Sequence, residues 1–217
     1  MRHLNLPDNS APIDGARRRA PSAERNLEPI AAVLEQHLPK SGRVLELASG
    51  TGQHIVALAA RFGGLTWQPT DIDPANLESI RAWVAEVGPD NVRPPLHLDA
   101  CEPGWADTQA NWDVICLTNL LHLISATEAE TLLTEVARAL SPGGLFCLYG
   151  PFRRDGALTS DGDKRFDANL RAQDPAIGYK DFEWVEQVLA ECGLSPRALH
   201  TMPANNLMIV TRRPDQA

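Results

Sequence analysis

The 217-residue chain has 43% hydrophobic and 22% charged residues, a mixture that fits one globular core and excludes a disordered or membrane-embedded composition. Its formal net charge of −8 argues against a general electrostatic grip on nucleic acid, which needs a basic face to release counterions. Cys101, Cys116, Cys147 and Cys192 are scattered without a Cys-x-x-Cys pair, and no eighteen apolar residues run together, so no zinc site, disulfide framework, metal site or membrane span is expected.

Residues 1–21, with Arg17, Arg18 and Arg19 and no signal-peptide core, read as a flexible, solvated leader of a cytosolic protein. Ile30, Val33, Leu34, His37 and Leu38 then recur at helical spacing until Pro39 and Gly42 stop the helix. Residues 43–47 read as a buried strand, 48–52 as a turn, and 53–62 as an apolar helix broken by Gly63-Gly64. The pattern repeats with a strand over 65–70, a helix over 74–87 that turns Leu77, Ile80, Val84 and Val87 inward, and strands over 96–98 and 113–118. Thr127 and Glu130 fit a capping box opening a helix through Leu140, and Pro142-Gly143-Gly144 leads into a strand over 145–149.

Residues 150–178, polar and rich in Arg, Asp and Gly, are too long for an ordinary connection and read as a lid or substrate loop. A helix over 181–191 precedes strands over 199–202 and 206–211, joined as a hairpin through Pro203-Ala204-Asn205. The expected fold class is α/β: a single Rossmann-like, doubly wound sheet of about seven strands, the last antiparallel in the terminal hairpin, forming one domain over 22–213.

The sharpest local signal is Val44-Leu45-Glu46-Leu47-Ala48-Ser49-Gly50-Thr51-Gly52, a buried strand running into a turn whose glycines let a ligand approach the backbone. Asp71 lies nineteen positions after Gly52, at the end of the second strand of this alternation, where a carboxylate can accept the hydroxyls of a ribose. Together they read as an adenosine site; the glycines alone would also serve a tight strand-to-helix corner. A dinucleotide fold needs a small residue three positions after Gly52, where Ile55 stands, and no Lys followed by Ser or Thr succeeds the glycines as a P-loop requires.

In Glu46, Gly50 and Gly52 the chain resembles the class I S-adenosylmethionine-dependent methyltransferases, whose first motif is an acidic residue followed by spaced glycines; Ala48 stands in place of the first glycine. The resemblance implies S-adenosyl-L-methionine as cofactor, with Asp71 and the adjoining Ile72 at the ribose, Asp99-Ala100 at the adenine edge, and Asn119 after the fourth strand. More narrowly, over residues 22–213 the chain resembles the group called domain of unknown function 938, which includes methyltransferase-like protein 26. The segments that carry this are Ala23-Glu24-Arg25-Asn26, Glu46 to His54, Asn119-Leu120-Leu121-His122, Tyr149-Gly150-Pro151-Phe152, Arg165-Phe166-Asp167 and Met202-Pro203-Ala204-Asn205-Asn206-Leu207. Where that group has a serine followed by asparagine ahead of Arg165, this chain has Asp161-Gly162-Asp163-Lys164.

A sulfonium methyl is already a strong electrophile, so the protein's main task in such chemistry is to hold a nucleophile in line behind it. His122, following the fourth strand, is the candidate catalytic base; beside Leu121 and Leu123 it also reads as a packed core histidine. Arg25 and Asn26 begin the helix before the first strand, where a guanidinium could pair with the methionine carboxylate, or where they simply expose a helix start. Asn205 and Asn206 read first as turn formers. Asn119 is followed by Leu120-Leu121-His122 and not by the Pro-Pro-aromatic run of methylases acting on bases or glutamine, which points to a small-molecule acceptor. The rival readings are an NAD(P)-dependent oxidoreductase and a non-catalytic S-adenosylmethionine-binding module; no oligomeric state is implied.

Overall fold

The computed structural model of the chain describes residues 4–6 and 11–215. An antiparallel ribbon of β1 (Ala11–Asp14) and β2 (Arg17–Arg19) leads into α1 (Pro21–His37). There follow β3 (Gly42–Leu47), α2 (Gln53–Arg61), β4 (Leu65–Asp71), α3 (Pro74–Val87), β5 (Leu96–His97) and β6 (Trp112–Thr118). The chain continues through α4 (Ala126–Ala139), β7 (Leu140–Arg153), α5 (Asp161–Gln173), β8 (Lys180–Asp181), α6 (Phe182–Glu191), β9 (Ser195–Thr201) and β10 (Asn206–Arg212). Eight strands make one open, mostly parallel sheet in the order β5-β4-β3-β6-β7-β10-β9, with β8 paired to β7. β10 runs antiparallel to β7 and to β9, as the terminal hairpin predicts, and β8 raises the count above the seven read from the sequence.

The chain divides into two compact units, one reaching Ala100 and taking in Trp112–Leu117, the other made of Cys101–Asn111 and the chain from Thr118 onward. In the first, β3 has a parallel neighbour on each side, β4 and β6, and its last four residues, Val44 to Leu47, are all buried, an apolar run interrupted by Glu46 alone. Ile30, Leu34, Leu45, Ile55, Trp67, Ile80 and Ile115 make its core. In the second, Leu132, Phe146, Leu148, Tyr149, Val185 and Ile209 are buried around β7 and β10. Among the described residues no helix is long and apolar enough to cross a membrane.

Several stretches depart from the sequence reading. α1 begins at Pro21, so Arg25 and Asn26 lie in its second turn and do not open it. Arg17–Arg19, read as part of a solvated leader, form β2 against α3, where the Trp83 ring N–H donates to the Arg18 carbonyl at 2.9 Å. The capping box belongs to Ser125 and Glu128, two positions before the pair read from the sequence: Ser125 is extended, its hydroxyl accepts the Glu128 N–H, and the Glu128 carboxylate accepts the Ser125 N–H at 2.7 Å. Residues 150–178 hold the end of β7 and the whole of α5; its buried positions are Asp163, Asp167 and Leu170, a helical period with carboxylates where apolar residues normally mark it. β9 begins at Ser195, four residues earlier than expected.

Candidate functional site

The carboxyl end of β3 delivers the chain into a turn where Ala48, Gly50 and Gly52 take φ of +50°, +59° and +90°. The two glycines are needed for different reasons. A Cβ on Gly52 would stand 2.9 Å from the Ile80 backbone, so this glycine admits α3 under the turn; a Cβ on Gly50 would meet nothing within 4 Å, so this one faces open space. Ser49 ties the turn to β4, donating its N–H to the Thr70 carbonyl at 2.8 Å and accepting the Thr70 N–H on its hydroxyl at 3.2 Å. The Thr70 hydroxyl in turn donates to the Glu46 carbonyl at 2.9 Å.

Asp71 ends β4 at 5% exposure, and its Oδ2 accepts the Gly50 N–H at 2.8 Å. Its Oδ1 accepts the Asp73 N–H at 2.8 Å and the Asn76 side-chain amide at 3.2 Å. A carboxylate has about four acceptor sites, so three bonds leave capacity for a ligand donor. Burial raises the Asp71 pKa above its ordinary value, against the opposing pull of those three donors. Glu46 on β3 is 3% exposed and its Oε2 has no hydrogen-bond partner. Burial pushes its carboxyl up to about 7, the Ser49 hydroxyl opposing and the charge of Asp71 adding to the rise. A carboxyl so poised would ionise against a cationic ligand.

Gln53, the first residue of α2, accepts on Oε1 both the Ala20 N–H at 2.6 Å and the Thr51 hydroxyl at 3.0 Å. His54 Nε2 lies 2.8 Å from the Ala23 carbonyl, which can only accept, so Nε2 carries the proton; burial lowers the pKa of this ring. Glu46, Ala48, Gly50, Gly52, Asp71 and Ile72 are thus gathered on one hydrogen-bonded turn and the end of its neighbouring strand. Asp99, half-buried, and Ala100, buried, follow β5, where the Leu98 N–H donates to the Asp71 carbonyl at 3.1 Å. Arg25 is exposed and Asn26 half-buried on α1. Sequence reasoning missed Ser49, Gln53, Thr70, Asn76 and Ser79. Its one available signal was a serine between Leu77 and Ile80 on the inward face of a helix: Ser79 is fully buried and its hydroxyl donates to the Thr51 carbonyl at 2.7 Å.

Asn119 and His122 belong to the second unit. Asn119 takes φ +57° and donates its N–H to the Tyr149 carbonyl at 2.9 Å. His122, on a short 3-10 turn over Leu121–Leu123, is 6% exposed, its ring centre 5.7 Å from that of Phe166 and 6.0 Å from that of Tyr179. Its Nδ1 is buried without a partner, and burial, helped by the charge of Lys180, pushes its pKa down to about 3. A ring held neutral this firmly accepts a proton weakly near pH 7. Close by, Asp163 accepts from the Tyr179 hydroxyl at 3.3 Å and the Asn205 amide at 3.0 Å, and the Lys180 ammonium donates to the carbonyls of Ile124 and Gly178 at 2.6 and 2.9 Å. Asn205 has the positive φ, +60°, of a turn former, whereas the Asn206 amide donates to the buried Tyr149 hydroxyl at 2.9 Å.

A family model described as protein of unknown function (DUF938) matches residues 17–213. The biotin biosynthesis bifunctional protein BioCD of Bordetella avium is 35% identical over 126 residues, 57% of this chain and 24% of that protein. An O-methyltransferase family protein from Burkholderia thailandensis superposes with a TM-score of 0.76 at 19% identity, covering 90% of this chain and 58% of its own. Human N-acetylserotonin methyltransferase, solved in complex with S-adenosylmethionine, gives 0.74 at 13% identity, covering 89% and 53%. The likeness to the solved structures establishes a Rossmann-like methyltransferase fold. The chain spans little more than half the length of those structures, and far less of the biotin biosynthesis protein.

Proposed function

We propose that this chain, which belongs to the DUF938 family of proteins of unknown function, is a cytosolic S-adenosylmethionine-dependent methyltransferase acting on a small-molecule nucleophile. The observation that carries this reading is the bond from the Gly50 N–H to the buried Asp71 carboxylate, which fixes an acceptor for ribose hydroxyls on a turn whose Gly50 face is open. The unpartnered Glu46 Oε2 fits the positive charge of the cofactor's amino-acid end. The cofactor's own carboxylate is suited by the N-terminus of α2, with Arg25 and Asn26 on α1 covering it.

Asp99 and Ala100 take the adenine edge, and Ile72 flanks the ribose. S-adenosylmethionine, when bound, supplies a methyl on a sulfonium that is electrophilic without further activation. What this chain's residues contribute is therefore binding, orientation and exclusion of water. His122, in the second unit, is held neutral by its burial and has little capacity to take up a proton as a catalytic base. A nicotinamide oxidoreductase is disfavoured because Ile55, where a small residue is needed under a pyrophosphate, is a fully buried part of α2.

Calorimetry with S-adenosylhomocysteine is the test. Wild type is expected to bind saturably, and Asp71→Ala to lose about 1.5–3 kcal/mol, at least tenfold in affinity. Absent binding by wild type, or undiminished binding by the variant, would remove the basis of the assignment.

A further inference from the structure

Resting on that cofactor reading, we propose that the Arg17–Ala20 segment is a working part of the cradle, with Arg18 a positioning residue that fixes Asp71 and the glycine turn. Three hydrogen-bonded relays, all within the first unit, run from this segment to the turn. The Arg18 guanidinium donates to Asn76 Oδ1 at 3.1 Å, the Asn76 amide donates to Asp71 Oδ1 at 3.2 Å, and Asp71 Oδ2 accepts the Gly50 N–H at 2.8 Å. The Arg18 N–H donates to the Ser79 hydroxyl at 2.9 Å, which donates to the Thr51 carbonyl at 2.7 Å. The Ala20 N–H reaches Gln53 Oε1 at 2.6 Å, where the Thr51 hydroxyl also donates at 3.0 Å.

The first relay fixes the orientation of the Asn76 side chain from both of its ends. A guanidinium only donates and a carboxylate only accepts, so the Asn76 side chain must turn its oxygen to Arg18 and its amide to Asp71. Without Arg18 the Asn76 oxygen loses its charged donor, and the amide that donates to Asp71 is anchored at one end only. The Arg18 guanidinium also stands 3.5 Å from the Asp73 carboxylate, setting a positive charge beside the acidic pair Asp71 and Asp73. The segment is itself held down: Trp83 donates to the Arg18 carbonyl at 2.9 Å, the Arg17 guanidinium lies 5.4 Å from the Trp83 ring centre, and Arg19 pairs with Glu24. A carboxylate meant to receive a ribose hydroxyl needs its geometry held within about half an ångström, which is the work of such supporting contacts.

The test uses the full chain with Arg18→Ala, Asn76→Ala and the double variant. Affinity for S-adenosylhomocysteine is measured by calorimetry, and amide hydrogen exchange is followed in the ligand-free proteins. Arg18→Ala is expected to weaken binding about tenfold and to speed exchange at the Gly50 amide while leaving exchange in β4 and β6 unchanged. The double variant is expected to bind no more weakly than Asn76→Ala, because Arg18 acts through that amide and the two losses are then not additive. Wild-type affinity and exchange in Arg18→Ala overturn the proposal, as do fully additive losses or faster exchange spread evenly over the unit. If wild type does not bind S-adenosylhomocysteine, the functional reading falls, and the exchange at Gly50 alone decides whether Arg18 braces the turn.

Discussion

Ala48 holds a side chain in the left-handed region, at φ +50°, where its neighbours Gly50 and Gly52 need none. For an L-residue that conformation costs roughly 1–2 kcal/mol, offset in part because alanine loses less chain entropy on folding than glycine, by about 0.4–1 kcal/mol. Ala48→Gly is therefore expected to raise the unfolding free energy by about 0.5–1 kcal/mol in a urea titration; a decrease would mean that the Ala48 methyl makes contacts worth more than the strain. Glu46, Gly50, Gly52 and Asp71 were legible as site candidates because a sharp turn and a carboxylate at a strand end leave a mark in residue type. What the letters did not separate is which glycine faces open space and which faces Ile80, since both demands read as glycine. Ser49, Thr70 and Asn76 left no mark, because small polar residues serve turns, caps and surfaces alike.

At the scale of elements, the buried strands and the extents of α2 and α3 were legible, although Val87, read as turned inward, is 54% exposed at the end of α3, whereas the helix whose inward face is polar was not. α5 buries Asp163 and Asp167 one turn apart, so its period is written in carboxylates that hydrogen-bond to Tyr179 and Asn205, and a count of apolar positions passes over it. β2 escaped for a related reason: three arginines in a row look solvated until Trp83, Ser79 and Asn76 are brought to meet them. The start of α4 shows how two registers of one pattern compete. Ser125-x-x-Glu128 and Thr127-x-x-Glu130 both fit a capping box, and the extended backbone of Ser125 decides between them. Ser125→Ala is expected to cost about 1 kcal/mol of stability, and Thr127→Ala, at an exposed first-turn position, well under that. Equal losses in paired denaturant titrations would return the cap to Thr127.

For the whole molecule, two buried groups bend the pH dependence of stability in opposite directions. Glu46 has its pKa raised to about 7, so the folded state holds a proton that an unfolded glutamate, near pKa 4.5, gives up. Its stabilising contribution is full below about pH 4.5 and is lost as pH rises through 7. His122 has its pKa lowered to about 3 from an ordinary 6.5, so the unfolded state takes up a proton that the folded one refuses. Its contribution is full above about pH 6.5 and is lost as pH falls. Asp71, raised by burial, adds to the first trend, and His54, lowered by burial, adds to the second. Between about pH 4.5 and 6.5 one proton is released and one taken up when both units unfold together, so wild-type stability is expected to be nearly flat across that window. Removing either partner should expose the other: Glu46→Gln should lose stability as pH falls, and His122→Asn as pH rises, each at up to about 1.4 kcal/mol per pH unit. Chemical denaturation of the three ligand-free proteins at half-unit pH steps measures those slopes directly, and a flat profile for His122→Asn would mean that the glycine turn is built around an ionised carboxylate.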